Sequence, residues 1–241
     1  MSDLNVSSSS FDLFYRRLIK SPLTLSCRNE LGDILASVFR AKDKEKWSDI
    51  ASSNTSFSKH LSFLREHGYL PLEIPYANQL VAELLSIKSS RIFDNGPGGR
   101  KETITLQGVS SLPLVQKLMQ DISLHKLVSL YLGAPAYLHT TQAWWQLPMG
   151  PDHVPSNAQL WHRDRDDLSE LKLFFYGTDV DSSSGPHAFL PKSHTHEGLS
   201  VLFPQESLLN PIINGSSNMF VEDSFFRRQG LLSDFKTWLG P

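Results

Sequence analysis

His162 and Asp164 stand two residues apart in the stretch LWHRD, residues 160–164. On an extended strand, residues i and i+2 project from the same face, so this spacing sets an imidazole beside a carboxylate. A neutral nitrogen and an anionic oxygen are two-thirds of the 2-His-1-carboxylate set that holds Fe(II) on one face and leaves the other open to a co-substrate and O₂. The plain alternative is a strand end with a hydrogen-bonded histidine and a solvated aspartate. The spacing alone does not choose between them.

Other residues bear on the same chemistry. Lys172 falls in phase with Phe174 and Tyr176 in the apolar run LKLFFY, residues 171–176. On an interior face a lysine needs an anionic partner, such as the carboxylate of a substrate or co-substrate. At a strand start it reaches water instead. Gln159 either hydrogen-bonds a ligand near the pair or lies on the surface. Trp144 and Trp145 are neighbours on one strand, so one faces in and the other out or into a helix. The inward ring walls a substrate pocket or packs the core, and Trp144 is the candidate for the pocket. Arg163 and Arg165 alternate with the pair and point away from it, and Asp166 and Asp167 continue into a solvated turn.

Two kinds of element must position these residues. Apolar side chains recur at three-to-four spacing in SSFDLFYRRLIK, in NELGDILASVFRAKDKEKW and in ANQLVAELLSIKSSRIF, which predicts helices. SFSKHLSFLREHGYLPLEIP reads as a helix closed by Gly68 and followed by an extended segment. SSLPLVQKLMQDISLHKLVSLYLG predicts two helices, the first opened by Ser-Ser with proline in its first turn. After Gly133 the pattern changes to short aromatic runs broken by MGPDHVPSN and DSSSGP, which is strand-and-turn grammar. Residues 1–10 are expected to be loose. Residues 11–241 are expected to form one domain, mainly helical over 11–132 and stranded over 133–230. The glycine-rich DNGPGGR, residues 94–100, lacks the flanking strand and helix of a phosphate loop and reads as a turn.

Bulk properties exclude some classes. With a net charge of −2 and 20% charged residues, nothing favours nucleic acid or an acidic membrane surface. No apolar run approaches membrane-spanning length, and the N-terminus shows no secretory signal. The single cysteine, Cys27, has no intramolecular partner, reads as a small buried hydrophobe and suits a reducing, cytoplasmic compartment.

Four ordered features lie within residues 159–194: the H-x-D segment QLWHRDRDD, the apolar LKLFFYGTDVD with its acidic end, the Gly-Pro turn of SSSGPHAFLP, and PKSH. Together they resemble the phytanoyl-CoA dioxygenase family of Fe(II)/2-oxoglutarate oxygenases. FLREHGYLPLEIP is similar to that family's first helix and strand, so the likeness runs over roughly residues 60–230. It implies an α+β fold: a double-stranded β-helix, jelly-roll or cupin-like, with the N-terminal helices packed around it. His162 and Asp164 would then be iron ligands, and aspartate at its position argues against a halogenase. 2-Oxoglutarate would be the co-substrate and a small organic molecule the substrate. The activity implied is O₂ activation with decarboxylation of the keto acid and hydroxylation of a C–H bond.

The resemblance also locates a departure. The family's third ligand is a histidine that aligns with Arg228 in VEDSFFRRQG, residues 221–230. A guanidinium is always cationic and offers iron no lone pair. The family's keto-acid arginine, expected about ten residues later, is also missing, and Lys236 lacks its planar fork. These departures leave three alternatives: a C-terminally incomplete or frame-shifted oxygenase, a degenerate jelly roll that only binds, or a rearranged set in which His187, His194 or His196 supplies the third ligand. A sugar- or anion-binding β-sandwich without iron is a further alternative.

Overall fold

The computed structural model describes residues 8–21, 23–87, 103–147, 159–162, 164, 167–181, 184–202 and 236–237. The glycine-rich stretch 94–100 and the stretch 221–230 with Arg228 lie outside the described residues. The chain forms two compact units, each assembled from three stretches of sequence: 1–42, 155–171 and 190–235 in the first, and 43–154, 172–189 and 236–241 in the second.

The second unit holds most of the regular structure. It contains α3 (Lys44–Ser52), α4 (Asn54–His67), α5 (Ala77–Ser86), α6 (Pro113–Met119) and α7 (Ile122–Leu132), with a short 3-10 helix at Val109–Ser111. Helical spacing builds its first core. Phe57, Leu61 and Leu64 share a stripe of α4, and Leu127, Leu130 and Tyr131 share one of α7. Ile50, Leu61, Leu127 and Leu130 form a buried cluster, with Trp47, Phe57, Leu70 and Tyr131 packed against it. A second cluster is formed by Leu80, Leu106, Val109 and Val115, with Leu84, Trp145 and Phe175 among the side chains against it.

Local chemistry sets the helix ends. Gly68 takes a left-handed φ of 82°, and its N–H donates to Leu64 O at 2.8 Å, which closes α4. Gly133 closes α7 with φ 74°. Asp121 caps the start of α7 by accepting from Ser123 N and Leu124 N, each at 2.9 Å. Pro113 occupies the first turn of α6, where its missing N–H costs nothing. The Glu83 carboxylate on α5 takes the Leu114 N–H at 2.9 Å.

Two antiparallel pairs complete this unit. Strand β1 (Thr103–Thr105) pairs with β2 (Trp144–Gln146), with Ile104 opposite Trp145. Strand β3 (Ala188–Phe189) pairs with β4 (Lys236–Thr237), with Phe189 opposite Lys236. These are the only ladders among the described residues. The apolar run 171–176, expected as a strand, lies in neither a helix nor a ladder. A strand takes its hydrogen bonds from another segment, so an apolar pattern alone cannot make one. Regular strand among the described residues is limited to these two short pairs, and the jelly-roll stays an expectation drawn from the resemblance.

The first unit contains α1 (Ser8–Lys20), α2 (Leu25–Lys42) and α8 (His196–Leu202). Arg28 of α2 is buried, and its Nη2 donates to Ile19 O at 2.6 Å and Ser21 O at 2.9 Å. The guanidinium thus satisfies carbonyls where α1 ends and ties the two helices together. No helix among the described residues is long and apolar enough to cross a membrane.

Candidate functional site

Trp161 forms an isolated bridge, and His162 and Asp164 follow it outside any ladder. The two side chains meet: His162 Nε2 lies 3.3 Å from Asp164 Oδ1, with the imidazole 19% and the carboxylate 42% exposed. The other ring nitrogen, Nδ1, is 2.8 Å from Leu160 O. A carbonyl oxygen only accepts, so Nδ1 carries the proton in that bond. When the ring is neutral, Nε2 turns a lone pair toward an anionic oxygen. A proton on Nε2 makes the contact an ordinary ion pair, and a metal ion between the two atoms would also suit this spacing.

The pair fits a metal as two adjacent ligands. Donors ~2.1 Å from an ion at roughly right angles are ~3 Å apart. A ligating histidine also typically donates its second N–H to a carboxylate or a backbone carbonyl, as His162 does to Leu160. No group of three His, Cys, Asp or Glu residues able to hold a metal occurs among the described residues.

Asp167, three residues beyond Asp164, anchors the following bend. Its Oδ1 accepts from its neighbour Leu168 N at 2.6 Å and from the Tyr15 hydroxyl on α1 at 2.5 Å. Burial first, then the bond to Asp167 and the negative charge there, push the Tyr15 phenol well above its ordinary value of 10.0. It therefore stays protonated and able to donate across the neutral range. Leu168 is buried, and Gly32 of α2 faces Ser169 with 3.5 Å between an added Cβ and the hydroxyl oxygen. Asp167 is exposed in a bend, in keeping with the solvated turn expected there; sequence reasoning missed its contact with Tyr15, which spans 152 residues and leaves no local spacing to read.

The other candidates are placed as follows. Gln159 is exposed in the first unit, as is His194 in the turn before α8. His196 is the first residue of α8. Lys172 belongs to the second unit and is exposed. Of the tryptophans on β2, Trp145 is the inward one, packed on the second core, and Trp144 faces out. His187 stacks on Phe174 with centroids 4.5 Å apart, and its backbone N–H donates to the Tyr176 hydroxyl at 2.8 Å. An open groove of about 450 Å³, lined by Asn54, Ser58, Leu61, Ser62, Arg65 and Glu66, runs along α4 and contains none of these residues.

Compared with known proteins, the chain matches no family model, no curated protein and no solved structure.

Proposed function

We propose that the chain is an Fe(II)- and 2-oxoglutarate-dependent dioxygenase-like protein of jelly-roll type that hydroxylates a small organic substrate in the cytoplasm. One observation carries this reading. His162 Nε2 and Asp164 Oδ1 lie 3.3 Å apart while Nδ1 is held by a backbone carbonyl, a spacing that suits two adjacent ligands of one metal ion. When bound, iron with the keto acid supplies O₂ activation and C–H hydroxylation. The chain's own part is to present two adjacent ligands, with the imidazole tautomer held by Leu160. Gln159, in the same unit as the pair, is assigned to a ligand contact. The lone Cys27 is compatible with the reducing compartment.

A specific residue favours a second reading, a degenerate jelly roll that only binds. Arg228 aligns with the third ligand in the resemblance to the phytanoyl-CoA dioxygenase family, and a fixed cation there would offer no lone pair and repel a metal. Anaerobic titration with Fe(II), followed by 2-oxoglutarate, separates the two readings. The enzyme reading predicts submicromolar iron binding and a keto-acid-dependent visible band. A folded chain that takes up no iron supports the binding protein.

A further inference from the structure

We infer that the outward face of α1 docks on an anionic lipid surface. A helix turns about 100° per residue, so Arg16, Leu13, Arg17 and Phe14 fall side by side on one face of α1, and Tyr15, Leu18 and Ile19 fall opposite. Burial follows that division. Leu13 is 54% and Phe14 61% exposed, Arg16 and Arg17 are exposed, and neither arginine forms an ion pair among the described residues. The opposite face is fixed inside its unit. Ile19 is buried, the Tyr15 hydroxyl donates to Asp167 at 2.5 Å, and the buried Arg28 donates to Ile19 O at 2.6 Å. The helix is therefore held with two large apolar side chains and two permanent cations turned to solvent.

Two chemistries on one face select the partner. The apolar side chains gain by entering the acyl boundary, while an arginine keeps its guanidinium at the phosphates and lays its stem on apolar surface. A neutral surface rewards only Leu13 and Phe14, and a soluble acidic chain only Arg16 and Arg17. The face is one convex helix ridge, which suits a broad surface, and the open groove along α4 lies in the other unit. The chain's net charge of −2 gives no such preference in bulk. The attraction is local to this face and acts within a Debye length of the headgroups. It stands apart from the metal pair.

Flotation of the full chain with vesicles tests this, comparing phosphatidylcholine alone with phosphatidylcholine mixed with phosphatidylserine. The mixed vesicles are expected to take up the protein and the neutral ones much less of it, with the difference lost in high salt. Arg16→Gln and Arg17→Gln are each expected to weaken binding about fivefold, and Phe14→Ala about tenfold. All three side chains are exposed, so thermal stability should stay as in the wild type. Ile122→Ala, at an apolar site 70% exposed on α7, should bind as the wild type does. No uptake by the mixed vesicles overturns the inference, as does equal uptake by the neutral ones, undiminished binding in the α1 variants, or an equal loss in Ile122→Ala. Capture by soluble polyglutamate without vesicle uptake puts an acidic protein on this face and overturns it as well.

Discussion

Leu61 and Leu173 are the same residue in two settings. Leu61 on α4 is 1% exposed and sits in a cluster with Ile50, Leu127 and Leu130. Leu173 in the run 171–176 is 46% exposed, and its neighbour Phe174 is 49% exposed. The difference comes from the backbone. A helix satisfies its N–H and C=O groups within its own segment, so α4 needs only a surface for one stripe of side chains. An extended run must borrow its hydrogen bonds from another segment, and without a ladder the run 171–176 buries only part of itself, Phe175 against the second core.

Substitutions in the two regions should break this comparison if it is wrong. The largest effect is expected for Leu61→Ala. Removing a fully buried side chain should cost about 2–5 kcal/mol in chemical denaturation, whereas Leu173→Ala should stay within about 0.5 kcal/mol. Equal losses at the two sites would refute the contrast. Gly68→Ala should come next, because φ is 82° there and a Cβ in the left-handed region costs roughly 1–2 kcal/mol. A shift of that size in the denaturation midpoint checks it.

The smallest effect is expected between α3 and α7, where Lys126 Nζ lies 2.9 Å from Asp49 Oδ2 and the aspartate is mostly exposed. Lys126→Met should cost less than about 1 kcal/mol. The loss should shrink further as salt screens the pair, which denaturation at two ionic strengths would show.

The sequence was most legible where its signals are local. Gly68 and Gly133 mark helix ends because a left-handed residue closes a helix regardless of what packs on it. Pro113 marks a helix start for an equally local reason. His162 and Asp164 approach to 3.3 Å as near neighbours in sequence, though neither lies in a ladder. Non-local relations were not legible. Which tryptophan of β2 turns inward depends on the second core, and that core draws on residues from Tyr76 to Phe175. The Tyr15–Asp167 bond joins α1 to a bend 152 residues away. Strand pairing in the run 171–176 could not be read from its apolar pattern, because such a pattern states what must be buried but not which segment supplies the hydrogen bonds.

The central claim is that His162 and Asp164 together hold a metal ion. Calorimetric titration of Fe(II), without oxygen, into the wild-type chain and into His162→Ala and Asp164→Ala tests it most directly. The account predicts one iron bound by the wild type and binding lost in both variants while each stays folded. Iron binding that survives both substitutions unchanged, or a folded wild type that binds none, would contradict it.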